Sequence, residues 1–278
     1  MQCLQLTRGE PPVAFPAIGT ALNDMSWAEI KKVSDAGLAS TYFAVGDRKA
    51  VVLNGTVCAL SLSNVTTYAF ILGFNHNSAK EGSNRIHFQI GKTTSGTDIA
   101  FCDSNYNSRG YTNGFRMNLD NTNVGGWNDS YGRKTLLGNS GTPTSPSGSS
   151  FMAALPADLR TVMKSVTKYT DNTGGSSDTS SAVTPTTDYL FFLAEFEVQG
   201  ARSYANQYEQ NYQAQYDYYK AGNSKVKYRH DATGTAVHHW CRSAFYLYND
   251  SFCFVSTNGQ AGANLSHYSY GLAPGFCV

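Results

Sequence analysis

The strongest constraint on what this chain can fold into is a succession of short β-rich runs. YFAVGDRKAVVLNG, TTYAFILGF, NRIHFQIG and DIAFCD follow one another between Tyr42 and Asp103, each bounded by Gly, Asn or Asp. Branched and aromatic side chains suit a pleated surface and the bounding residues suit turns, so the spacing predicts successive antiparallel strands. DYLFFLAEFEV predicts another strand further on. Helices are few. SWAEIKKVSDAG carries Ser26 as N-cap, Glu29 three residues later, Ile30 and Val33 on one face and Gly37 as a stop, which predicts a short amphipathic helix. Leu155, Leu159, Met163 and Val166 predict a second helix, with Pro156 in a first turn. Tyr208, Tyr212, Tyr216 and Tyr219 are spaced for one face of a third, packing its rings on the sheet. The polar stretch TDNTGGSSDTSSAVTPTT predicts an exposed, mobile loop. Residues 1–25, rich in Pro, Gly and Ala, predict an arm or linker, and residues 26–278 a single domain.

Composition narrows the function. With 21 Lys and Arg against 20 Asp and Glu the formal charge is +1, so no field is built in that would gather nucleic acid or an anionic membrane. The longest apolar runs, Tyr68 to Phe74 and Tyr189 to Phe196, are strand-sized and far short of a membrane span. MQCLQLTRGEPPVAFP lacks the layout of a secretory signal, so an extracellular role would need release in a particle or a segment upstream. The six cysteines, Cys3, Cys58, Cys102, Cys241, Cys253 and Cys277, form no CxxC pair and read as buried free thiols.

The C-terminal segment 236–278 carries the functional signal. Its only charged side chains are Arg242 and Asp250, yet it holds Trp240, Phe245, Tyr246, Tyr248, Phe252, Phe254, His267, Tyr268 and Tyr270 among Asn, Ser and Gly. Rings supply contact area with few rotors to freeze, and small polar residues supply adaptable hydrogen bonds, which is the chemistry of a binding surface. In SFCFVSTNG, Phe252, Phe254 and Ser256 share one strand face while Cys253 and Val255 share the other. Either the two phenyl rings face outward as a contact surface, or the sheet is buried on both faces; alternation alone leaves both open. Asn258 and Gly259 predict a hairpin turn.

Several motifs then carry a resemblance. FILGFNHNSAKEGSNRIHFQIGK, KYTDNTGG, LAEFEVQGARSYANQYEQNYQAQYDYYKAGNSKVKY and the ending HHWCRSAF followed by GLAPGFCV are similar to a family of domains of unknown function common in phages and prophages of gut bacteria. Its signature end is a WWLRSP-like strand and a G-x-x-P-x-F close, matched here at Trp240, Arg242, Ser243, Gly271, Pro274 and Phe276. WNDSYGRKTLLG ahead of FMAALP resembles the frame of C-type-lectin-like domains. The end also resembles the variable proteins of diversity-generating retroelements. The resemblance implies an α+β, C-type-lectin-like fold, mostly antiparallel sheet with two or three helices and long loops, in which 236–278 is a variable segment. It also implies departures at His239, Cys241 and Ala244, where the family carries Trp, Leu and Pro, and a ligand-binding patch of Phe245, Tyr246, Tyr248, Asn249, Asp250, Phe252, Phe254, Asn264, His267, Tyr268 and Tyr270. Arg242 is expected to pair internally or cap carbonyls, and Trp240 to anchor the core.

Other constellations are weaker. His238, His239 and Cys241 lack the spacing for three or four metal ligands, and His76, His87 and His230 stand alone in sequence. Trp127, Asn128 and Asp129 spell the WND of calcium-dependent lectins without the companion acidic loop, so calcium is not predicted. Glu195 and Glu197 on a strand could face one cleft as in a glycosidase, but such residues are more often solvated or paired with Arg. The expected function is therefore non-enzymatic: a receptor-binding protein, such as a phage tail-fibre tip, recognising a bacterial surface protein or glycan. No cofactor, nucleic acid or membrane insertion is expected, and the location is a virion or bacterial surface. A homo-oligomer, a trimer for a tail fibre, fits this reading. The competing readings are a virion or assembly protein using the aromatic face as a subunit interface, and an enzyme of the formylglycine-generating type, which needs Cys241 and Cys253 side by side.

Overall fold

A computed structural model describes residues 14–278. The first helix forms where its capping signals place it. Helix α1 spans Trp27–Asp35; the Ser26 hydroxyl accepts the Glu29 N–H at 3.2 Å, and the Glu29 carboxylate accepts the Ser26 N–H at 2.7 Å. At the other end Gly37 takes φ +72°, with Gly37 and Leu38 donating to the carbonyls of Ser34 and Val33, a Schellman ending. Trp27, Ile30 and Val33 are buried, and the Trp27 ring meets Phe88 and Phe276 edge-on. The folded unit begins before Ser26, because Leu22 and Met25 are in the core and the Asn23 side chain accepts the Ala50 N–H at 2.8 Å. The first half of the expected arm, 1–13, with Cys3, lies outside the described residues.

After a turn of helix α2 (Ala39–Tyr42), strands β1 (Arg48–Val57) and β2 (Leu60–Phe74) form a long hairpin, and helix α3 (Ser78–Glu81) leads into β3 (Ile86–Lys92) and β4 (Ile99–Ala100). A loop region with helix α4 (Gly126–Asp129) and a π-turn over Gly132–Leu136 follows, then helices α5 (Phe151–Ala154) and α6 (Ala157–Val162). The hairpin β5 (Val166–Asp171) with β6 (Val183–Asp188) precedes β7 (Leu190–Phe191) and helices α7 (Glu195–Gln199) and α8 (Asp217–Lys220). The chain ends with β8 (Lys227–Arg229), β9 (Ala232–Val237), β10 (His239–Ala244), β11 (Ser251–Val255), β12 (Ala261–Leu265) and β13 (Gly275–Cys277). The class is α+β, with mostly antiparallel sheets and short helices. No helix among the described residues is long and apolar enough to cross a membrane.

The largest sheet has the order β1-β2-β3-β13-β7, so the final strand is inserted beside β3 in the centre of the molecule. Phe276 stacks on Phe88 at 5.1 Å, and a Cβ on Gly275 would sit 2.7 Å from the Phe191 ring, which accounts for the small residue there. Strands β10, β11 and β12 form a second antiparallel sheet with β11 central, and Asn258 and Gly259 lie in the turn joining β11 to β12, Gly259 with φ +84°.

The structure corrects several expectations. The second helix is broken into α5 and α6 because Pro156 has no N–H and drives Leu155 to an extended ψ of 146°; Val166 starts a strand. DYLFFLAEFEV is a two-residue strand followed by a helix turn, so Glu195 and Glu197 are not strand neighbours. The tyrosine run is a 3-10 turn (Gln207–Asn211), an extended stretch and α8, and only Tyr216, Tyr218 and Tyr219 reach the core. The polar stretch from Thr170 runs out of β5 and into β6, and its start is held by the Asp171 carboxylate, which accepts the Thr173 and Gly174 N–H groups, and by Asn172, which donates to the Thr184 carbonyl.

Candidate functional site

Strand β11 is buried on one face and largely buried on the other. Cys253 and Val255 are in the core, but so is Phe252, at 0% exposure, so both faces of the strand are covered at this point. Phe252 is therefore removed from the expected patch, and Phe245 and Tyr270 with it. Phe245 is walled in by the rings of Tyr204, Tyr246 and Tyr248, and Tyr270 packs against Trp240, His238, Phe254 and Tyr268. Phe254 is half-buried over Gly262, where a Cβ would meet its ring at 2.5 Å. Among the remaining residues Tyr248 is 58% exposed, Asn249 is exposed, and Tyr246, Asp250, Asn264, His267 and Tyr268 are partly so.

These residues share a surface with a segment that the sequence reading passed over. Tyr111, Leu119 and Val124 are large, apolar and exposed, as are Leu247 and Tyr248. The two segments are tied together: Gly110 N–H donates to the His267 carbonyl, Ser266 Oγ to the Asp120 carbonyl, and His267 Nδ1 lies 2.6 Å from Asn121 Oδ1. A cavity of about 370 Å³ opens on the far side of the 111–124 segment, lined by Leu119, Asp120, Thr122, Val124, Tyr131 and Lys134 among others, with no residue of 246–268 in its wall.

Asn123 joins the two. It is fully buried, and its Nδ2 donates to the carbonyls of Tyr248 and Ser251, both at 2.8 Å, and of Phe245 at 3.3 Å. Its Oδ1 accepts the Gly175 N–H at 2.8 Å, and its own N–H donates to the Asn249 carbonyl at 2.8 Å. The DNTGG turn wraps this residue: Asp171 Oδ1 accepts from Thr173 and Gly174, and a Cβ on Gly174, φ +60°, would sit 1.9 Å from the Asn123 carbonyl oxygen. Gly174→Ala is expected to cost roughly 1–3 kcal/mol from overpacking besides the left-handed strain of roughly 1–2 kcal/mol. Gly222→Ala, φ +86° with nothing within 4 Å, should cost the strain alone. Urea unfolding midpoints of the two variants make the comparison, and equal losses would sink the close-contact argument.

Beneath this surface lies a buried ionic network. Arg242, fully buried, donates to both Glu197 oxygens at 2.5 and 2.9 Å, to Thr170 Oγ1 at 2.7 Å and to the Phe192 carbonyl at 2.9 Å, so it both pairs internally and caps a carbonyl. Lys168 donates to Glu81 at 2.6 Å, to Glu197 at 3.0 Å and to Tyr216 Oη at 2.9 Å. Burial alone would raise the Glu197 carboxyl, but Arg242 and Lys168 outweigh it and hold it well below the usual range. Glu81 and Glu209 go the other way, burial lifting each to about 7. His76 and His87 are not isolated: His76 stacks on Tyr216 at 3.8 Å, and His87 lies 3.2 Å from the Tyr216 hydroxyl and 3.3 Å from Cys277 Sγ. Desolvation and the nearby Lys168 push His76 down to about 3 and hold His87 well below its ordinary value. No spacing in the sequence links residues 76, 81, 87, 168, 197 and 242; only the fold does.

Ligand atoms of His76, Glu81 and Glu197 lie within 4.8 Å of one another, as a metal would require. The Lys168 ammonium already bonds both carboxylates, and Arg242 takes both Glu197 oxygens, so the cation of this cluster is a side chain. His239 and Cys241 are buried, and desolvation raises the Cys241 and Cys253 thiols well above their ordinary value, the opposite of what a nucleophile needs. Glu195 caps a turn, accepting the N–H groups of Ser203, Tyr204 and Ala205. In the WND run Trp127 Nε1 donates to Asp188 at 3.0 Å, while exposed Asp129 pairs with Lys134 at 2.7 Å.

Residues 103–278 match the family model described as Domain of unknown function (DUF6273), and the chain belongs to that family. The match takes in Asn123, the 245–251 loop and β13, while β3, the partner of β13, lies ahead of it. No curated protein and no solved structure matches the chain.

Proposed function

We propose that this DUF6273 member is a non-enzymatic ligand-binding protein whose binding face is the surface formed by 246–250, 264–268 and the 111–124 loops. The observation that carries this reading is the gathering of exposed apolar side chains, Tyr111, Leu119, Val124, Leu247 and Tyr248, on loops that hydrogen bonds fasten to one frame. Exposed large apolar groups held rigidly together are a contact surface in search of a partner. The finer reading follows from the resemblance: a C-type-lectin-like frame, a C-terminal segment varied by a diversity-generating retroelement, and a place at a phage tail-fibre tip that meets a bacterial surface molecule. The revised patch is Tyr246, Tyr248, Asn249, Asp250, Phe254, Asn264, His267 and Tyr268, with Phe245, Phe252 and Tyr270 as its support.

Replacing Tyr246, Tyr248 and Tyr268 together by Ala is expected to abolish binding to intact cells of gut-bacterial isolates, measured by flow cytometry. The protein should stay folded: Tyr248 is exposed and should cost within about 0.5 kcal/mol, while Tyr246 and Tyr268, partly buried against Phe245 and Tyr270, should cost more than that but less than a fully buried ring. Phe252→Ala should instead cost about 3–5 kcal/mol, as a buried ring does. Cell binding that survives the triple variant rules the patch out. A near-copy of the 3′ end of the gene, differing at adenines and lying beside a reverse transcriptase, would support the retroelement reading.

One observation favours a subunit interface as the second reading. Among the described residues strand β12 is the edge of its sheet and pairs with β11 alone, and it carries no charge over Ala261–Leu265. Uncharged regular edges invite pairing with another chain. Light scattering at increasing concentration separates the two: a stable assembly that hides Tyr246 and Tyr248 from the binding assay supports the interface.

A further inference from the structure

We infer that Asn123 is the positioning residue of the binding surface, a clamp that holds the 245–251 loop by its main chain and is indifferent to the side chains at 246–249. The carbonyls of Phe245, Tyr248 and Ser251 accept from the Asn123 amide, and that of Asn249 accepts from the Asn123 N–H and from Thr122 Oγ1. The Asp250 carbonyl accepts from the Ser266 N–H, and the loop closes through Phe245 N–H to Ser251 carbonyl at 3.0 Å and Tyr246 N–H to Tyr204 carbonyl at 3.1 Å. None of these bonds uses a side chain of residues 246–249. An amide offers two N–H donors; the Tyr248 and Ser251 carbonyls take them at 2.8 Å, the Phe245 carbonyl shares one at 3.3 Å, and of the three only that of Ser251 also accepts a main-chain N–H from within the loop. Among the described residues the tyrosines that project from the loop make ring contacts, Tyr248 and Tyr246 with Phe245 and Tyr246 with Arg202.

A loop held in this way keeps its path while its outward chemistry changes. Specificity then resides at 246–249, and the shape of the surface resides at Asn123 and the glycine turn that encloses it. The binding consequence rests on the reading proposed above, whereas the clamp itself does not.

Hydrogen exchange on the full chain tests the clamp directly. Asn123→Asp removes the amide donors and should speed exchange of the Phe245 and Tyr246 amides by about tenfold or more, as expected for the loss of a buried hydrogen bond. Amides of the β1–β2 hairpin should be unchanged. A variant with Tyr246, Leu247, Tyr248 and Asn249 all replaced by Ser should leave the same two amides within about twofold of the parent. Equal acceleration in the two variants, or none in Asn123→Asp, overturns the clamp. If Asn123→Asp does not fold, the four-serine chain decides alone, with tenfold acceleration against the proposal and parental protection for it. In the cell-binding assay the four-serine chain should fail; if it binds with its loop intact, the proposed function fails and the clamp stands.

Discussion

Arg242→Met is expected to destabilise the protein by about 3–5 kcal/mol, the cost of leaving a buried charge without its partner. The methionine replaces most of the aliphatic volume, so the loss is electrostatic. Glu197 would keep only Lys168 and the Ala194 N–H, while Thr170 and the Phe192 carbonyl would lose their donor. Removing both partners should cost less than the sum of the single changes, since Glu197→Gln no longer leaves a charge to compensate. Urea midpoints for the two single variants and the double variant measure this. Additive losses would mean that the Arg242–Glu197 contact is not what holds the network.

Acid should unfold the protein in two stages of different steepness. His76, His87 and His239 are buried and held neutral, with desolvation the leading cause in each. Their folded pKa values lie below the unfolded one, so the stability they lend is present above about pH 6.5 and lost as the pH falls, at roughly 1.4 kcal/mol per pH unit each. Glu81 and Glu209, raised to about 7, act in the opposite sense. Their contribution is complete below the unfolded carboxyl value, near pH 4.5, and is lost as the pH rises through 7. Between pH 6.5 and 4.5 the two glutamates therefore offset part of what the three histidines lose. Below pH 4.5 that compensation ends, and the depressed Glu197 begins to lose its own contribution as well. Stability followed by urea unfolding should fall gently to about pH 4.5 and steeply beyond it. His76→Gln should reduce the slope by roughly 1.4 kcal/mol per pH unit. A linear decline from pH 7 to pH 3, or an unchanged slope in that variant, would contradict the account.

How much of this could be read from residues alone differs from one element to the next. Helix α1 was legible because its start and stop are local: Ser26, Glu29 and Gly37 satisfy backbone groups within their own turns. The β-rich runs around β1, β2 and β3 were legible for the same reason, their side chains and bounding residues acting over a few positions. The helix over Tyr208 to Tyr219 was misread because its periodicity belongs to no helix; Tyr216 is placed by His76, His87 and Lys168, residues far away in the chain. Phe252 lies in the core against expectation because alternation distinguishes two faces without saying whether other segments cover both, and here Phe252 is fully buried while Phe254 on the same face is half-buried.

The sequence by itself determined the strand runs between Tyr42 and Asp103, their antiparallel character, the capped first helix and the concentration of rings near the C-terminal end. Those properties depend on backbone preferences and spacing within single segments. Tertiary structure alone decided which rings are exposed, that Asn123 and the DNTGG turn hold the 245–251 loop, and that a lysine and an arginine meet buried carboxylates below it. The reason is that burial and hydrogen bonding between segments far apart in the chain depend on which strands become neighbours, and no local pattern encodes that choice.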